Sequence, residues 1–160
     1  MIDLQFKGPF VWLQKLVQVM DATGGSIIQI SSATAKIMLD DHAAYMGTKA
    51  GTDHLIRCVA NQYGCKGIRA NSISPGLTET PMTAGALTSA ALLKEFETCY
   101  PLGRIGSSAD IAAAALFLAS DECFMTGENL QVNGGLCLRR NPLGTELFDA
   151  MVAAGEIPGQ

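Results

Sequence analysis

The hydrophobic pattern of the first forty residues predicts a helix followed by a buried strand. Between residues 2 and 20 the apolar positions recur at helical spacing, and Pro9 is expected to bend or interrupt the first part of this helix. The glycine-containing sequence DATGG then ends it. SIIQI at 26–30 is a short, β-branched run typical of a buried strand, and a polar loop begins at Ser31.

A longer helix and a second strand follow this loop. A helical pattern extends over about 42–63, and Gly64 is expected to end it in the left-handed conformation. Asp40 or Asp41 is a candidate for the N-cap of this helix. The segment GIRANSI at 67–73 predicts the second strand, which the following SPG stops.

The alternation of helix and strand continues toward the C-terminus. Residues 83–99 predict a loose helix, and 107–120 predict a clear one, in which Ser107 and Asp110 resemble a capping box. ENLQV at 128–132 predicts a third strand.

The tail predicts one more helix, at about 145–153. Helices that alternate with apolar strands indicate an α/β fold, with a parallel sheet covered by helices. We find no internal repeat and no linker between domains.

Composition narrows the class of protein. The 160 residues are 48% apolar, which favours a compact globule, and only 16% charged, with a net charge of −4. The chain lacks a Lys/Arg cluster, so nucleic-acid binding is not expected. The cysteines and histidines lack zinc-site and disulfide spacing, so we expect reduced thiols and no metal site. The five cysteines, an odd number without a disulfide framework, indicate a cytoplasmic protein, and since no apolar stretch approaches the ~20 residues that span a bilayer, we expect no membrane segment.

Residues 45–49, YMGTK, place a phenol and an ammonium on one helix face. Tyr45 and Lys49 are four positions apart, so the ammonium can approach the phenol. A nearby positive charge favours the ionised form of a phenol, which makes Tyr45 a candidate general acid–base group. A surface pair without a chemical role is the alternative that this spacing alone leaves open.

The residues around this pair point to a ligand site. Ser32 comes just after the strand at 26–30, and Pro75 and Gly76 come at the end of the strand at 67–73. Ligands of open α/β sheets bind at the carboxyl ends of the strands. The sequence therefore predicts a ligand site at this sheet edge, with the SPG loop wrapped around the ligand.

Four segments together resemble one known family. They read GGSIIQISS, AYMGTKAG, GIRANSISPGLTETPM and PLGRIGSSADIAAAALFLASDECFMTGENLQVNGG, and in order and spacing they are similar to the short-chain dehydrogenase/reductases. The resemblance implies a partial Rossmann-like, doubly wound parallel sheet over 1–138, the C-terminal portion of the family fold. A lid is then expected at about 77–103 and a tail at 139–160.

The resemblance also implies a role for each candidate residue. Ser32 would hydrogen-bond the substrate oxygen, Tyr45 would transfer the proton, and Lys49 would bind the nicotinamide ribose and favour the ionised tyrosine. The cofactor, NAD or NADP, would exchange the hydride. The resemblance further implies that the loop after the second strand lies against the nicotinamide. For its individual residues, a plain strand-ending turn is the alternative. That loop comprises Pro75, Gly76, Leu77, Thr78 and Thr80.

The sequence departs from the family pattern in two ways. Gln5 matches a position where the family often has an asparagine of a proton relay, and a plain helix-surface glutamine is the alternative. The glycine-rich TGxxxGxG turn, which binds the pyrophosphate at a helix N-terminus, has no counterpart. By comparison, the sequence begins midway through the family fold, and the residue that selects NAD or NADP is missing.

The lid segment suggests the kind of substrate. Its apolar residues predict a small lipophilic or cyclic alcohol or ketone, and packing of the lid onto the sheet is the alternative. A homo-oligomer, dimer or tetramer, is expected from the apolar helices at 2–20 and 43–63, which commonly form an interface in this family. The apolar lid residues are Met82, Leu87, Leu92, Leu93 and Phe96.

The leading functional hypothesis is an NAD(P)-dependent oxidoreductase that interconverts a secondary alcohol and a ketone, with tyrosine as the acid–base group. The alternative is a catalytically incompetent fragment that binds or regulates a partner, and a lyase or epimerase that uses the same tyrosine is a weaker third. The joint presence of Ser32, Tyr45 and Lys49 favours the first hypothesis. The absence of the phosphate loop favours the second for this chain alone.

Overall fold

Three parallel strands form the centre of the computed structural model, which describes residues 1–159 and, at Ala86, the backbone alone. They are β1 (Gly25–Ile30), β2 (Ile68–Pro75) and β5 (Asn129–Val132), in the spatial order β1-β2-β5. β1 and β2 pair from Gly25↔Ile68 to Ile30↔Ile73, so their carboxyl ends meet at one edge. The predicted parallel α/β sheet is confirmed.

Helices cover both faces of this sheet. Helix α1 (Gly8–Val19) and helix α2 (Ala43–Tyr63) pack on one face, and helix α4 (Ser108–Ala119) packs on the other. The alternation of side chains along β1 sends Ile27 toward α1 and α2, and Ile28 toward α4. Among residues 1–159, no helix is both long and apolar enough to cross a membrane.

Two further helices and a small sheet lie beside the main sheet. Helix α3 (Ala90–Cys99) packs against helix α5 (Gly144–Ala153) near the C-terminus. Strands β3 (Thr78–Glu79) and β4 (Gly106–Ser107) form a short parallel pair, which the sequence pattern did not predict because each has only two residues.

The first helix is interrupted where Pro9 predicts. A five-residue π-turn, Asp3–Lys7, precedes α1, and Pro9 lies in the first turn of α1, where its missing N–H costs no hydrogen bond. The Phe6 ring on this π-turn packs directly on Gly51 of α2, where any side chain would collide with it. The absence of a side chain at Gly51 therefore permits the close approach of Phe6.

The prediction for the end of α2 is wrong. Gly64 has a right-handed φ of −58°, and the chain continues through a 3-10 turn, Gly64–Lys66. The left-handed residue is Gly67, with a φ of 71°. Its carbonyl accepts a hydrogen bond of 3.0 Å from the N–H of Gly25, so the chain reverses where the first two strands start to pair.

The prediction for the start of α2 is also wrong. His42 precedes α2 and makes no side-chain cap, and neither Asp40 nor Asp41 caps the helix. The Asp40 carboxylate instead accepts a hydrogen bond of 2.9 Å from the N–H of Gly144. Asp41 has a positive φ of 60°, which directs the chain away from the capping geometry.

The other element boundaries differ less. The helix predicted at 83–99 consists of a short 3-10 turn, Ala86–Thr88, followed by α3. The second strand continues to Pro75, into the SPG that was expected to stop it. The capping box of Ser107 and Asp110 at the start of α4 is confirmed.

Asn71 provides a test of the packing between β2 and the segment before β5. Its side chain is fully buried, donates to the Met125 carbonyl at 2.8 Å and accepts from the N–H of Glu128 at 3.0 Å. Asn71→Ala leaves two partly buried backbone groups without this partner, so we expect the free energy of unfolding to fall by about 1–3 kcal/mol. Urea denaturation followed by circular dichroism measures this. Asn61→Ala, on the exposed side of α2, should change it by less than about 0.5 kcal/mol, and equal losses in both variants would contradict the assignment.

Candidate active site

The carboxyl ends of β1 and β2 are joined by polar contacts. The N–H of Ser31 donates to the Ile73 carbonyl at 2.7 Å, and the Ser74 hydroxyl donates to the Ser32 carbonyl at 3.1 Å. These bonds continue the strand pairing one step beyond the sheet. They fix the backbone of Ser32 relative to the loop that begins at Pro75.

Ser32 is the first candidate residue at this edge. Its hydroxyl lies 2.9 Å from the Thr34 hydroxyl and accepts from the Thr34 N–H at 3.2 Å, which caps a short 3-10 turn, Ala33–Ala35. Its side chain retains only 9% exposure. The turn packs against α2, the helix that carries the other two candidate residues.

Tyr45 and Lys49 lie in the first two turns of α2. The Lys49 ammonium lies 5.6 Å from the centre of the half-buried Tyr45 ring. The same ammonium donates a hydrogen bond of 2.9 Å to the Ile30 carbonyl at the end of β1. Lys49 therefore connects the helix that carries the phenol to the strand end that precedes Ser32.

Two features of its surroundings shift the pKa of Lys49 in opposite directions. Burial lowers the pKa of the Lys49 ammonium, and the Asp53 carboxylate, one turn further along α2, partly offsets this effect. Asp53 is itself fixed by a hydrogen bond from the Asn129 side chain of β5. The ammonium thus sits where it is partly removed from water but still close to a negative charge.

Gln5 also faces α2. Its side-chain oxygen accepts a hydrogen bond of 3.2 Å from the Thr48 hydroxyl, which also donates to the Tyr45 carbonyl at 2.8 Å. Gln5 lies on the π-turn before α1, a backbone form that is frequent at functional sites. The amide therefore reaches the same turn of α2 as the tyrosine and lysine.

The loop after β2 is organised largely by its own hydrogen bonds. The Thr78 hydroxyl donates to the Gly76 carbonyl at 3.0 Å, and the Thr80 N–H donates to the Thr83 hydroxyl at 3.0 Å. The Thr83 hydroxyl also donates to the Thr78 carbonyl at 2.7 Å. The loop has a defined shape at the same sheet edge as Ser32.

Tyr100 contacts the first residues of this loop. The N–H of Leu77 donates to the Tyr100 hydroxyl at 2.6 Å, and the ring is 2% exposed. Burial raises the pKa of Tyr100 to about 12, so the hydroxyl stays neutral as an acceptor. Gly76 lies against the same hydroxyl and ring, and a side chain there would overlap both.

These positions bring the candidate residues to one edge of the sheet. Ser32 precedes a turn that packs on α2, Lys49 reaches the end of β1, and Tyr45 lies one turn from Lys49. The loop from Pro75 to Thr80 follows the adjacent strand end. A phenol, an ammonium and a hydroxyl at one strand edge are suited to proton transfer on a bound oxygen.

Comparison with known proteins decides the family. The family model described as enoyl-(acyl carrier protein) reductase matches residues 1–137. A short-chain type dehydrogenase/reductase from Mycobacterium ulcerans superposes with a TM-score of 0.85 at 36% identity, covering 97% of this chain and 55% of that one. This chain belongs to the short-chain dehydrogenase/reductase family.

Two other members of the family are also similar to this chain in sequence or structure. The trans-4-hydroxycyclohexanecarboxylate dehydrogenase of Sinomonas cyclohexanicum is 42% identical over 135 residues, which are 84% of this chain and 49% of that protein. A gluconate 5-dehydrogenase from Burkholderia cenocepacia, in complex with NADP and tartrate, superposes with a TM-score of 0.80 at 30% identity, covering 85% of this chain and 54% of that one. The chain spans about half the length of the short-chain dehydrogenase/reductases that it matches.

Sequence reasoning missed two residues beside the site of this family member. Tyr100 immediately precedes the PLGRIG motif, but its contact with the loop joins residues 23 positions apart, which no local pattern shows. The His42 ring lies edge-on to the Tyr45 ring at 6.4 Å between centres. Its spacing of three from Tyr45 was the available signal, and the sequence analysis considered this histidine only as a metal ligand.

The role of Tyr100 is testable without a substrate. Tyr100→Phe leaves the buried N–H of Leu77 without its acceptor, so we expect the free energy of unfolding in urea to fall by about 1–3 kcal/mol. Because the pKa of Tyr100 is raised to about 12, the variant should also lose the last absorbance step of an alkaline tyrosine titration. Tyr63→Phe, at the end of α2, serves as the control and should keep that step. If Tyr63→Phe loses the last absorbance step instead, that step belongs to Tyr63 and not to Tyr100.

Proposed function

We propose that this chain carries the catalytic part of an NAD(P)-dependent oxidoreductase that interconverts a secondary alcohol and a ketone. The observation that supports it most is the position of the Lys49 ammonium, bonded to the Ile30 carbonyl at 2.9 Å and 5.6 Å from the Tyr45 ring centre. A surface pair with no role would leave the lysine in solvent, whereas this ammonium is half-buried at the strand edge where ligands of such sheets bind.

In the proposed reaction this chain moves the proton. During alcohol oxidation Tyr45 acts as the general base that accepts the proton of the substrate hydroxyl, and during ketone reduction its phenol returns the proton to the carbonyl oxygen. Ser32 donates a hydrogen bond to the same substrate oxygen and orients it. A nicotinamide cofactor, when bound, takes the hydride from the carbinol carbon or delivers it to the carbonyl carbon, which balances the proton transfer.

The residues present fit a nicotinamide ribose. An ammonium has three N–H donors, and the Ile30 carbonyl takes one, so Lys49 has the capacity to bind two ribose hydroxyls. We propose Tyr45 as a further contact to the cofactor, together with the loop of Pro75, Gly76, Leu77, Thr78 and Thr80. The Leu77 N–H donates to Tyr100, so that group shapes the loop and leaves the loop's other polar groups for the cofactor.

We propose a compact lipophilic or cyclic substrate. The apolar side chains of α3, Leu92, Leu93 and Phe96, are half-buried, and Met82 on the preceding loop is almost fully exposed. The hydroxycyclohexanecarboxylate dehydrogenase at 42% identity acts, by its name, on a cyclic hydroxy acid. The half-buried side chains of α3 favour apolar burial of the substrate, and the name of the relative favours a substrate of ring size.

A homo-oligomer, dimer or tetramer, and a cytoplasmic location remain expectations. Leu4, Trp12 and Val19 on the π-turn and α1 keep 80%, 68% and 79% exposure, and a protein in water tends to cover such side chains with a partner. The relay role of Gln5 is also a proposal, which its contact with Thr48 supports.

The assignment of Tyr45 has a direct test. In the complete enzyme, Tyr45→Phe removes the group that exchanges the proton, so kcat should fall by about 10²–10⁴-fold. The affinity for NADH or NADPH, measured by calorimetry, should fall much less than kcat, because Tyr45→Phe removes one proposed cofactor contact whereas the charged contacts of Lys49 remain. Tyr63→Phe is the matched control and should keep full activity. A Tyr45→Phe enzyme with more than about a tenth of the activity would rule out the acid–base role.

Lys49 is tested through cofactor binding. Lys49→Met removes charge-assisted hydrogen bonds to the ribose, so the Kd for NADH or NADPH should rise roughly tenfold or more. Burial lowers the pKa of Lys49, so wild-type affinity should decline with rising pH below the range in which an ordinary lysine loses its proton. Lys49→Met should lack this pH-dependent decline in cofactor affinity. Lys66→Met, at the far end of α2, is the control, and a pH dependence that persists in Lys49→Met would exclude the assignment.

The alternative, a family fragment that binds a partner, gives a different pattern. A fragment of that kind needs neither the tyrosine nor the lysine, so Tyr45→Phe and Lys49→Met would leave its function unchanged. A complete enzyme that reduces no ketone with either NADH or NADPH would favour this alternative.

A further inference from the structure

Three side-chain amides form a hydrogen-bonded row on one face of β5. Asn129, Gln131 and Asn133 alternate with Leu130 and Val132, which pack toward α4, so the amides lie on the face that α2 covers. The Asn133 side chain donates to the Gln131 oxygen at 2.9 Å, and the Gln131 side chain donates to the Asn129 oxygen at 2.6 Å. These three residues are called the amide ladder.

The amide ladder ends on the carboxylate of Asp53. The side-chain N–H of Asn129 donates to Oδ2 of Asp53, which lies one turn after Lys49 on α2. An ionised carboxylate only accepts hydrogen bonds, so Asn129 presents its nitrogen to Asp53 and its oxygen to Gln131. The same reasoning orients the next amide. Every amide of the ladder therefore donates in the direction of Asp53, and the ladder holds this carboxylate at β5.

Lys49 and Asp53 extend to different strands of the sheet. The Lys49 ammonium binds the Ile30 carbonyl of β1 at 2.9 Å, whereas Asp53 is bound to Asn129 of β5, and β1 and β5 flank β2. Opposite charges four positions apart on a helix are within reach of a direct ion pair. Lys49 takes part in none of the ion pairs of residues 1–159. The bonds to two separate strands thus hold the ammonium and the carboxylate apart.

The charge of Asp53 still acts on Lys49. Oδ1 of Asp53 is buried and has no hydrogen-bond partner among the residues that the structure describes. A buried charge needs an opposite charge nearby, and Lys49 is the cation one turn away. Burial lowers the pKa of Lys49, and the Asp53 carboxylate raises it. The carboxylate therefore favours the protonated ammonium without binding it.

Asp53 is the one charged group among residues 1–159 that shifts the pKa of Lys49. Within one turn of Lys49 on α2, the other titratable group is Tyr45. The charged residues of the other elements near this helix are exposed or interact elsewhere. Asp3 and Lys7 pair with each other, Lys66 pairs with Asp21, Lys15 is exposed, Lys36 acts on the Cys137 thiol, and Arg69 donates to carbonyls at the end of α4.

We propose that Asp53 is a positioning residue for Lys49: the amide ladder holds its carboxylate at β5, where the negative charge keeps the ammonium protonated and leaves its N–H donors for the cofactor ribose. This inference rests on the proposed function, since it concerns the same lysine. A direct ion pair would keep the charge but use a donor that the ribose needs. A neutral residue at 53 would leave the donors, but the ammonium would lose its proton at a lower pH.

Asp53→Asn removes the charge and keeps the shape, since its side-chain oxygen still accepts from Asn129. Lys49 should then lose its proton at a lower pH than in wild type, because nothing opposes the effect of burial on its pKa. NMR titration of labelled lysine in the 160-residue chain measures this, and Lys49→Met identifies the signal. Asp149→Asn, at an exposed position of α5, removes the same net charge and should titrate like wild type. An unchanged Lys49 titration in Asp53→Asn overturns the inference, whatever the activity of the enzyme.

Cofactor affinity in the complete enzyme gives the second readout. By calorimetry at pH 6.5, Asp53→Asn should bind NADH or NADPH as tightly as wild type, because Lys49 is protonated in both. In the alkaline range where wild-type affinity declines, its Kd should be at least about twofold higher, the effect of one helical pair of opposite charges on an equilibrium constant. A loss of affinity that is equal at both pH values would assign Asp53 a merely structural role and overturn the inference.

Asn129→Ala tests the amide ladder and has the opposite signature. The substitution keeps both charges and frees the carboxylate to pair with Lys49. Lys49 should then keep its proton to a higher pH than in wild type, while the Kd at pH 6.5 rises at least about twofold because a donor is occupied. The double variant Asn129→Ala/Asp53→Asn should regain wild-type affinity at pH 6.5. An unchanged Kd in Asn129→Ala excludes the role of the ladder.

Failure of the proposed function is distinguishable from failure of this inference. If the complete wild-type enzyme binds neither NADH nor NADPH at any pH, the proposed function fails. The NMR titrations of Lys49 in Asp53→Asn and Asn129→Ala need no cofactor, so they still decide whether Asp53 and the ladder control the charge of this lysine.

Discussion

The parallel pairing of β1 with β2 determines where every candidate site residue lies. Six residue pairs in register, from Gly25↔Ile68 to Ile30↔Ile73, end both strands at the same height. Ser32 and the loop from Pro75 then leave the sheet side by side, and the Lys49 ammonium binds the last carbonyl of β1. A slip of one residue would exchange the two faces of a strand, burying Ile28 where Ile27 now packs and separating the two loops.

Helix α2 combines a packing role with the chemistry of the site. Its second half buries Ile56, Val59 and Ala60 against the sheet, whereas its first turns carry the tyrosine and the lysine. The apolar half fixes the position of the helix on the sheet, and this positions the first turns that carry Tyr45 and Lys49. Phe6 on Gly51 adds a contact near the junction of the two halves.

Local patterns predicted the elements well and their ends less well. The three strands of the main sheet, the long helix, the tail helix and the Ser107 capping box could be read from residues within one or two turns of each other. Gly64 and Asp40 were assigned wrongly because each end of α2 is decided by a distant partner. Gly67 takes the left-handed position where β1 begins, and Gly144 takes the carboxylate that a cap would need.

For the candidate site too, local patterns indicated residues, whereas contacts between distant parts of the chain were missed. Ser32, Tyr45 and Lys49 are candidates chosen from motif spacing, and their placement near one strand edge agrees with the rule for parallel sheets. Tyr100 was missed because its contact crosses from the start of the PLGRIG segment to the loop after β2. Such a contact depends on the packing of α3 beside the sheet, which no periodicity in the sequence describes.

The fit of Gly76 against Tyr100 has a consequence for how this sequence can change over time. The ring fills the space that a side chain at residue 76 would need, and its hydroxyl supplies the acceptor for Leu77. A larger residue at 76 would collide with the ring, and a smaller residue at 100 would leave a cavity beside residue 76. The two positions are therefore constrained to change together, and the order of the two substitutions decides whether the intermediate protein folds with a defect in packing or with a steric clash.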